Sequence, residues 1–433
     1  MKKYLKEKNF REKKSAAEVQ EAVAKIIADI HVRGDEAVRE YSQKFDNWAP
    51  ASFRISDEQL AKVAKTVSGI EKQTISFAQD SVRRFARKQY EMFTDFETEL
   101  FPGVTLGQKT VPVASSGSYV PGGSYPIVAS ANMSITPAVV AGVKRVVAVT
   151  PPFRGELPNR TIYAMASAGA GEVYCLGGVQ AVVALALGTE TIKPVDIIVG
   201  PGNKYVAEAK RQLFGEVGID LFAGPSEALV IADETADPVI VAADLIAQAE
   251  HGTESEVVLV TLSEDFGLKV IAEVDKQIAE LATGDIARIC WDNNGEVIVV
   301  GSLEEAAEVA DDYASEHVEI QTKDDEWLLE NLTNYGSLFV GQYSTVALGD
   351  KGIGTNHILP TRKASRYTGG LWVGMFLKNL TYQKVKPEGL KYVAPYCAIS
   401  CAMEGMLGHK MSIDKRLEKY NLPVPLYEAG QNK

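Results

Sequence analysis

The sequence predicts an α/β protein built on two open, mainly parallel sheets. Three observations carry this. Short apolar, β-branched runs alternate with helical stretches, which is the pattern of parallel α/β layers. The alternation occurs twice, once between about residues 145 and 213 and again between about 227 and 340. With 433 residues, the chain is also long enough for more than one core.

In chain order, the opening MKKYLKEKNFREKK is basic with no apolar run behind it, so a secretory signal is not expected. The first hundred or so residues read as amphipathic helix, with a turn at Arg33-Gly34-Asp35 and a second run from about Asp57 to Tyr90. From about Pro102 the pattern changes to short β-rich runs punctuated by glycine. The first alternating set then comprises RVVAVTPP, a helix near Thr161–Ala168, EVYCLGG, a helix from Val179, VDIIVGPGN and a helix from about Tyr205. In the second set, EALVIAD leads to a helix carrying Gln248. SEVVLVTL, a helix from about Phe266, EVIVVGS, another helix, HVEIQT and GSLFVG complete it. The tail from about Lys384 is mostly helical, and no repeat or low-complexity segment interrupts the chain. Two such units imply a cleft between two sheets, a usual place for a nucleotide and its substrate.

Composition narrows the function classes. The net charge of −12 argues against nucleic acid or an anionic membrane as main partner, though not against a small anionic substrate in a locally basic pocket. No stretch approaches the roughly 18 apolar residues of a membrane span. Four cysteines in so long a chain are no disulfide framework. Cys397 and Cys401 share a helix face, as small buried hydrophobes or as contributors to a metal site. The expectation is a cytoplasmic protein.

Five histidines are present, and all but His31 sit in polar, glycine-punctuated settings. These are Gln248-x-Glu250-His251, Ser315-Glu316-His317, Asp350-x6-His357 and Glu404-x4-His409. Each alone is read as readily as a satisfied structural histidine; four together point to one assembled site. Gln248 and His251 lie three apart on a helix, hence on one face. Imidazole, carboxylate and amide oxygen together describe a site suited to Zn²⁺. Glu316 and His317, adjacent on a strand, would point to opposite faces. That makes them poor ligands of one ion and a suitable acid–base pair.

There is no Gly-x-Gly-x-x-Gly after a strand. Instead stand SGSYVPGGSYP, CLGGVQAVVAL and IVGPGNKYVAEAK, in which glycines follow a strand and precede a helix. Backbone N–H groups there can approach phosphates at a helix N-terminus; tight βα turns that need glycine account for them equally well.

Eight motifs carry a resemblance. YVPGG, GGVQA, VGPGNKYVAEAKR, AGPSEALVIAD, QAEHG, SEHVE, GTNHILPT and EGMLGHK occur in the order and approximate spacing of the histidinol dehydrogenase family, which the chain resembles along nearly its whole length. The resemblance implies two incomplete Rossmann-like domains with parallel sheets, plus small helical segments at both ends, in an intertwined homodimer. The implied boundaries are 16–118 with 227–371 for the first domain and 119–226 for the second, NAD-binding one. Residues 1–15 with 372–397 form a dimer-contact segment, and 398–433 a helical segment. It implies one zinc ion per subunit held by Gln248, His251, Asp350 and His409, the last from the partner subunit. Glu316 and His317 become the acid–base pair. Ser226, His317, His357 and Glu404 lie at the substrate, and Tyr119, Gln180 and Asn203 line the NAD site. The implied reaction takes a primary alcohol through a bound aldehyde to a carboxylate, passing two hydrides to NAD.

Two stretches depart from the biosynthetic members of that family: SYPIVASANMSITP, with Asn132, and RKASRYTGGLWVGMFLKNLTYQ after NHILPT. Gly369-Gly370 and Trp372 are expected to alter the pocket volume. Arg362, Lys363 and Arg366 form either a solvated basic loop or, through Arg366, a partner for an anionic group on the substrate. These features resemble the branch that oxidises (R)-3-sulfopropanediol to sulfolactate. Glu404 favours L-histidinol, whose ammonium an acidic residue suits. Two other classes remain: a thiol-dependent aldehyde dehydrogenase, for which no cysteine sits in a recognisable nucleophile setting, and a non-catalytic zinc-binding protein.

Overall fold

A computed structural model describes residues 2–9, 16–122, 127–221 and 224–425. Gly123 and Ser124 to Pro126 of the first glycine turn lie outside the described residues, as do 10–15 of the amino-terminal segment and 426–433 of the tail. In chain order the strands are β1 (Lys3–Lys6), β2 (Phe96–Phe101), β3 (Val104–Pro112), β4 (Ser115–Tyr119), β5 (Arg145–Thr150), β6 (Glu172–Cys175) and β7 (Ile197–Val199). There follow β8 (Gly218–Ile219), β9 (Glu227–Ala232), β10 (Glu256–Thr261), β11 (Gly295–Val299), β12 (His317–Gln321), β13 (Ser337–Val340) and β14 (Leu377–Val385).

The chain divides into two units, Met1–Tyr90 with Val113–Phe376, and Glu91–Pro112 with Leu377–Lys433. The first holds both predicted α/β layers. One sheet runs β6-β5-β4-β7-β8, with every pairing parallel. The other runs β1-β11-β10-β9-β12-β13 and is parallel from β11 to β13. Continuous apolar runs such as Val257–Val260 are buried throughout, because helices cover both faces of a parallel sheet. Separate clusters fill those faces in the second sheet, around Leu245, Leu259 and Val270 on one and Ile231, Val258 and Ile320 on the other. The cluster of the first sheet joins Val147 and Ile198 to helix Gly178–Leu187 and to the amino-terminal helix Ala16–Arg33 through Val23 and Ile30.

Three elements differ from the sequence expectation. Lys3–Lys6 is a strand, pairing antiparallel with β11 at the sheet edge; its exposed lysine-bearing character suits an edge. Val128–Ala141, in the stretch expected to hold short β-rich runs, is a helix with Pro137 inside it and ten of its residues buried. A helix buried on most sides, with small polar residues such as Ser134 and Thr136 among the apolar ones, shows no amphipathic period to read. The third difference is β2 and β3, placed by sequence within the first domain. They pair with β14 in a three-stranded antiparallel sheet of the second unit, in the order β14-β3-β2. The helices Pro387–Met403 and Leu407–Lys419 complete that unit. Along them Tyr396, Met403, Leu407 and Met411 are exposed in the single chain, as is Cys397. Cys397 is therefore not the buried small hydrophobe expected. Among the described residues no helix is long and apolar enough to cross a membrane.

Candidate active site

His317 is the first residue of β12, opposite Ala228 of β9. Its ring is 2% exposed. Nδ1 lies 3.0 Å from the main-chain carbonyl oxygen of Glu227, which can only accept. The proton therefore sits on Nδ1, and Nε2 presents a lone pair. Nε2 is buried without a hydrogen-bond partner and stands 3.9 Å from Asp350 Oδ1. Burial lowers the pKa of this ring, against the opposing attraction of Asp350. The arrangement is a neutral base with a fixed tautomer and an unused lone pair.

Glu316 precedes the strand. Its Oε2 accepts from Ser226 Oγ at 2.6 Å and from the Glu227 N–H at 3.1 Å, and lies 3.7 Å from His317 Nδ1. The alternation expected to send the two side chains to opposite faces does not keep them apart: at the open end of the ladder, where the Ser337 N–H donates to the Glu316 carbonyl, the Glu316 carboxylate reaches within 3.7 Å of the His317 ring. Burial pushes the Glu316 carboxyl up to about 8, so it exchanges a proton near neutral pH. Sequence reading placed Ser226 beside the substrate; the structure makes it a donor to Glu316.

The implied zinc ligands fall in both units. Gln248, near the end of helix Pro238–Ala249, is 2% exposed, yet both its amide atoms lack a hydrogen-bond partner. A buried amide left so costs free energy unless something outside the chain satisfies it. His251 lies in the turn after that helix and is exposed in the single chain, and desolvation by the surrounding protein lowers its pKa against the attraction of Asp350. Asp350 is buried in helix Val346–Lys351. Amide oxygen, imidazole and carboxylate form a donor set that fits zinc. Among the described residues no three His, Cys, Asp or Glu side chains group closely enough to hold an ion. The implied set contributes only two residues of those types within the first unit. Glu404 and His409 belong to the second unit, just past helix Pro387–Met403 and at the third position of helix Leu407–Lys419, and both are exposed.

His357 accepts at Nε2 from Ser130 Oγ, 2.9 Å away, and donates from Nδ1 to the Asp350 carbonyl at 3.1 Å. Burial lowers its pKa, so the ring is neutral. Asn132, expected at the substrate, is 2% exposed and accepts from Gln79 Nε2 at 3.0 Å between two helices; Ser130 is the residue of that stretch that meets the site. Arg366 is likewise placed elsewhere. Its guanidinium is bound by the carbonyl and carboxylate of Asp312, both at 3.0 Å, and Lys363 shares that carboxylate. It is a surface ion pair rather than a waiting anion site. Gly370, read as a change of pocket volume, packs at φ +92° with its α-carbon against the Ile358 carbonyl, where a Cβ would come within 2.6 Å.

The glycine turns lie at the carboxyl ends of the first sheet, as a dinucleotide site requires. Tyr119 ends β4, and its hydroxyl accepts from the Gly178 N–H at 3.1 Å. Burial pushes that hydroxyl up to about 12. Gln180 is fully buried, donating to Asp46 at 3.0 Å while its Oε1 has no partner. Asn203 caps helix Lys204–Leu213, its carbonyl oxygen accepting from the N–H groups of Tyr205 and Val206. By contrast, Glu227 and His317 open their strands, so the acid–base residues gather at the amino ends of the second sheet.

Sequence reading missed two supporting features. The buried Lys210 bonds to Asp220 and to the Gly200 carbonyl, while Asp220 accepts from the Gly200 N–H at 2.7 Å, which pins the third glycine turn. Glu227 holds His317 by its carbonyl and accepts the Arg362 N–H at 2.8 Å; burial pushes its carboxyl up to about 7. An acidic residue opening an otherwise apolar strand was the only signal for it.

Glycine turns at the carboxyl ends of one parallel sheet, with a buried base and carboxyl at the amino ends of the other, define an α/β protein with groups suited to acid–base chemistry. Comparison with known proteins makes this specific. The family model for histidinol dehydrogenase matches residues 9–417, and the chain belongs to that family. A histidinol dehydrogenase homolog of Shouchella clausii is 52% identical over 94% of this chain and 96% of its own length. A sulfopropanediol 3-dehydrogenase of Ruegeria pomeroyi is 45% identical over 96% of each. The crystal structure of a histidinol dehydrogenase from Elizabethkingia anophelis superposes with a TM-score of 0.90 at 33% identity, covering 96% of this chain and 95% of that one.

Proposed function

We propose that this chain is a zinc- and NAD-dependent dehydrogenase that oxidises a primary alcohol to a carboxylate in two hydride transfers through a bound aldehyde. The observation that carries the reading is the buried His317, with its tautomer set by the Glu227 carbonyl and Nε2 free. Zinc, when bound, supplies Lewis-acid polarisation of the alcohol oxygen, and NAD accepts the hydride. Gln248, His251 and Asp350 would hold the metal, with His409 contributed by the partner of a homodimer. Tyr119, Gln180 and Asn203 would line the cofactor site. His317 takes the hydroxyl proton at Nε2. Glu316, poised by burial and by Ser226, takes the proton of the water that adds to the aldehyde.

The lead substrate is a small anionic diol, (R)-3-sulfopropanediol, giving sulfolactate. It is supported by the 45% identical relative and by the two stretches that depart from the biosynthetic pattern. With Arg366 committed to Asp312, the sulfonate must meet another donor. L-Histidinol is the second reading, favoured by Glu404 beside His409 in EGMLGHK. The test is kcat/KM for both substrates on the purified, zinc-loaded protein, read by NADH absorbance. We expect efficient sulfopropanediol turnover, two NADH per substrate, and loss of activity on chelation with recovery on adding Zn²⁺. Turnover of histidinol alone hands the site to the second reading; no turnover of any alcohol, with zinc bound, refutes the enzyme.

A further inference from the structure

Behind the residues already assigned lies a partly buried polar cluster that the proposed chemistry does not use. Asp244 sits one helical turn before Gln248 on helix Pro238–Ala249, so the two share a face. Glu319 stands two residues after His317 on β12, on the same side of the strand. Thr345 caps helix Val346–Lys351, whose fifth residue is Asp350. These three elements are bonded to one another only a step away from their site residues. Glu319 Oε1 accepts the Val346 N–H at 2.9 Å, and Asp244 Oδ1 accepts Thr345 Oγ at 2.9 Å. Gln321 Nε2 donates to Asp244 Oδ2 at 2.8 Å and reaches Glu319 Oε2 at 3.5 Å. Glu319 is 1% exposed.

We propose that Asp244 and Glu319 are positioning residues, which hold helix Pro238–Ala249, β12 and helix Val346–Lys351 in one register and so set the spacing of Gln248, His317 and Asp350. The inference rests on the zinc reading above for its functional meaning. Chemically, ionising the buried Glu319 carboxyl next to the half-buried Asp244 carboxylate is unfavourable. Burial, with the charge and hydrogen bond of Asp244, raises the Glu319 pKa, which favours a proton on Glu319. A protonated Glu319 accepts from Val346 with one oxygen and donates to Asp244 with the other. A glutamine amide reproduces both bonds; a leucine of similar size reproduces neither.

That contrast is the experiment, made on the full-length protein with Glu319→Gln, Glu319→Leu and Thr345→Val. Three readouts are used: affinity for Zn²⁺ alone, amide exchange of residues 346–350 in the metal-free protein, and kcat with the KM for NAD. We expect Glu319→Gln to match the wild type within about threefold in all three. Glu319→Leu is expected to weaken zinc binding about tenfold or more, speed amide exchange of the short helix by a similar factor, and lower kcat with the KM for NAD unchanged. Thr345→Val, which deletes a single hydroxyl bond, is expected to give a smaller loss of the same kind; it carries the test if Glu319→Leu does not fold. Zinc affinity unchanged in both deletions overturns the proposal, as does a Glu319→Gln variant as damaged as Glu319→Leu. If the wild type itself binds no zinc, the zinc reading fails instead. Amide exchange then decides: an unprotected short helix in Glu319→Leu sustains the tie between elements, and unchanged protection overturns it.

Discussion

His317 and Glu316 are neighbours in sequence, but their tasks are separated by hydrogen bonds rather than by strand alternation. The main-chain carbonyl of Glu227 commits the imidazole to one tautomer. His317→Ala is expected to reduce alcohol oxidation by about 10²–10⁴-fold, the usual worth of a general base, with NAD binding retained. Binding of NAD measured by fluorescence alongside NADH production checks this; near-normal turnover refutes the assignment. Glu316 permits a prediction with a definite sign. Its carboxyl rises from 4.5 to about 8 on folding, so the folded state holds the proton more tightly than the unfolded chain. Stability from this group is fully present below about pH 4.5 and is lost as pH rises towards 8. In the metal-free protein, Glu316→Gln should therefore gain on the wild type by on the order of 2–4 kcal/mol between pH 5 and 8.5. Urea melts at the two pH values measure it, and a constant difference between the proteins would show that no proton is held there.

At the scale of elements, the third glycine turn is the most constrained. Gly200 has φ +113°, and a Cβ there would stand 2.1 Å from the Tyr119 carbonyl oxygen. The turn is pinned from the other side by Lys210 and Asp220. Gly200→Ala must displace either the turn or the end of β4, at a cost of about 1–3 kcal/mol for the strained backbone. The KM for NAD is expected to rise about tenfold or more while zinc content is unchanged. An unaltered KM for NAD would remove this turn from the cofactor site.

The whole molecule raises the question of completeness. Gln248, His251 and Asp350 lie in the first unit, whereas His409 and Glu404 lie exposed in the second. If each site is completed by a partner subunit, two defective chains can repair each other. In a heterodimer of His251→Ala and His409→Ala, one site carries both lesions and the other carries none. Random mixing of chains in a symmetric dimer then restores about a quarter of wild-type sites. Co-expression with two affinity tags and a turnover assay measures this. Absence of any recovery in a purified heterodimer would place His409 in the site of its own chain, and full activity of the His409→Ala homodimer would place it outside the site.

What the sequence by itself determined was the alternation of elements, the glycine turns and the residue types of the centre. Those follow from local rules: apolar period, turn chemistry and the spacing of side chains on one helix or strand. His251 and Gln248 were legible together because they stand three residues apart, although the helix ends at Ala249 and His251 lies in the turn after it, its N–H bonded to the Gln248 carbonyl. The eight ordered motifs tied the chain to its family. Helix Val128–Ala141 was not legible, since burial on most sides erases the period that marks a helix. Nor were the actual partners of Asn132 and Arg366, because Gln79 and Asp312 come to them from distant positions in the chain. The Asp244–Glu319 pair and the clasp of Lys210 on Asp220 were hidden for the same reason. Tertiary structure alone decides which buried polar atoms meet, because each must find a partner wherever packing brings one within reach.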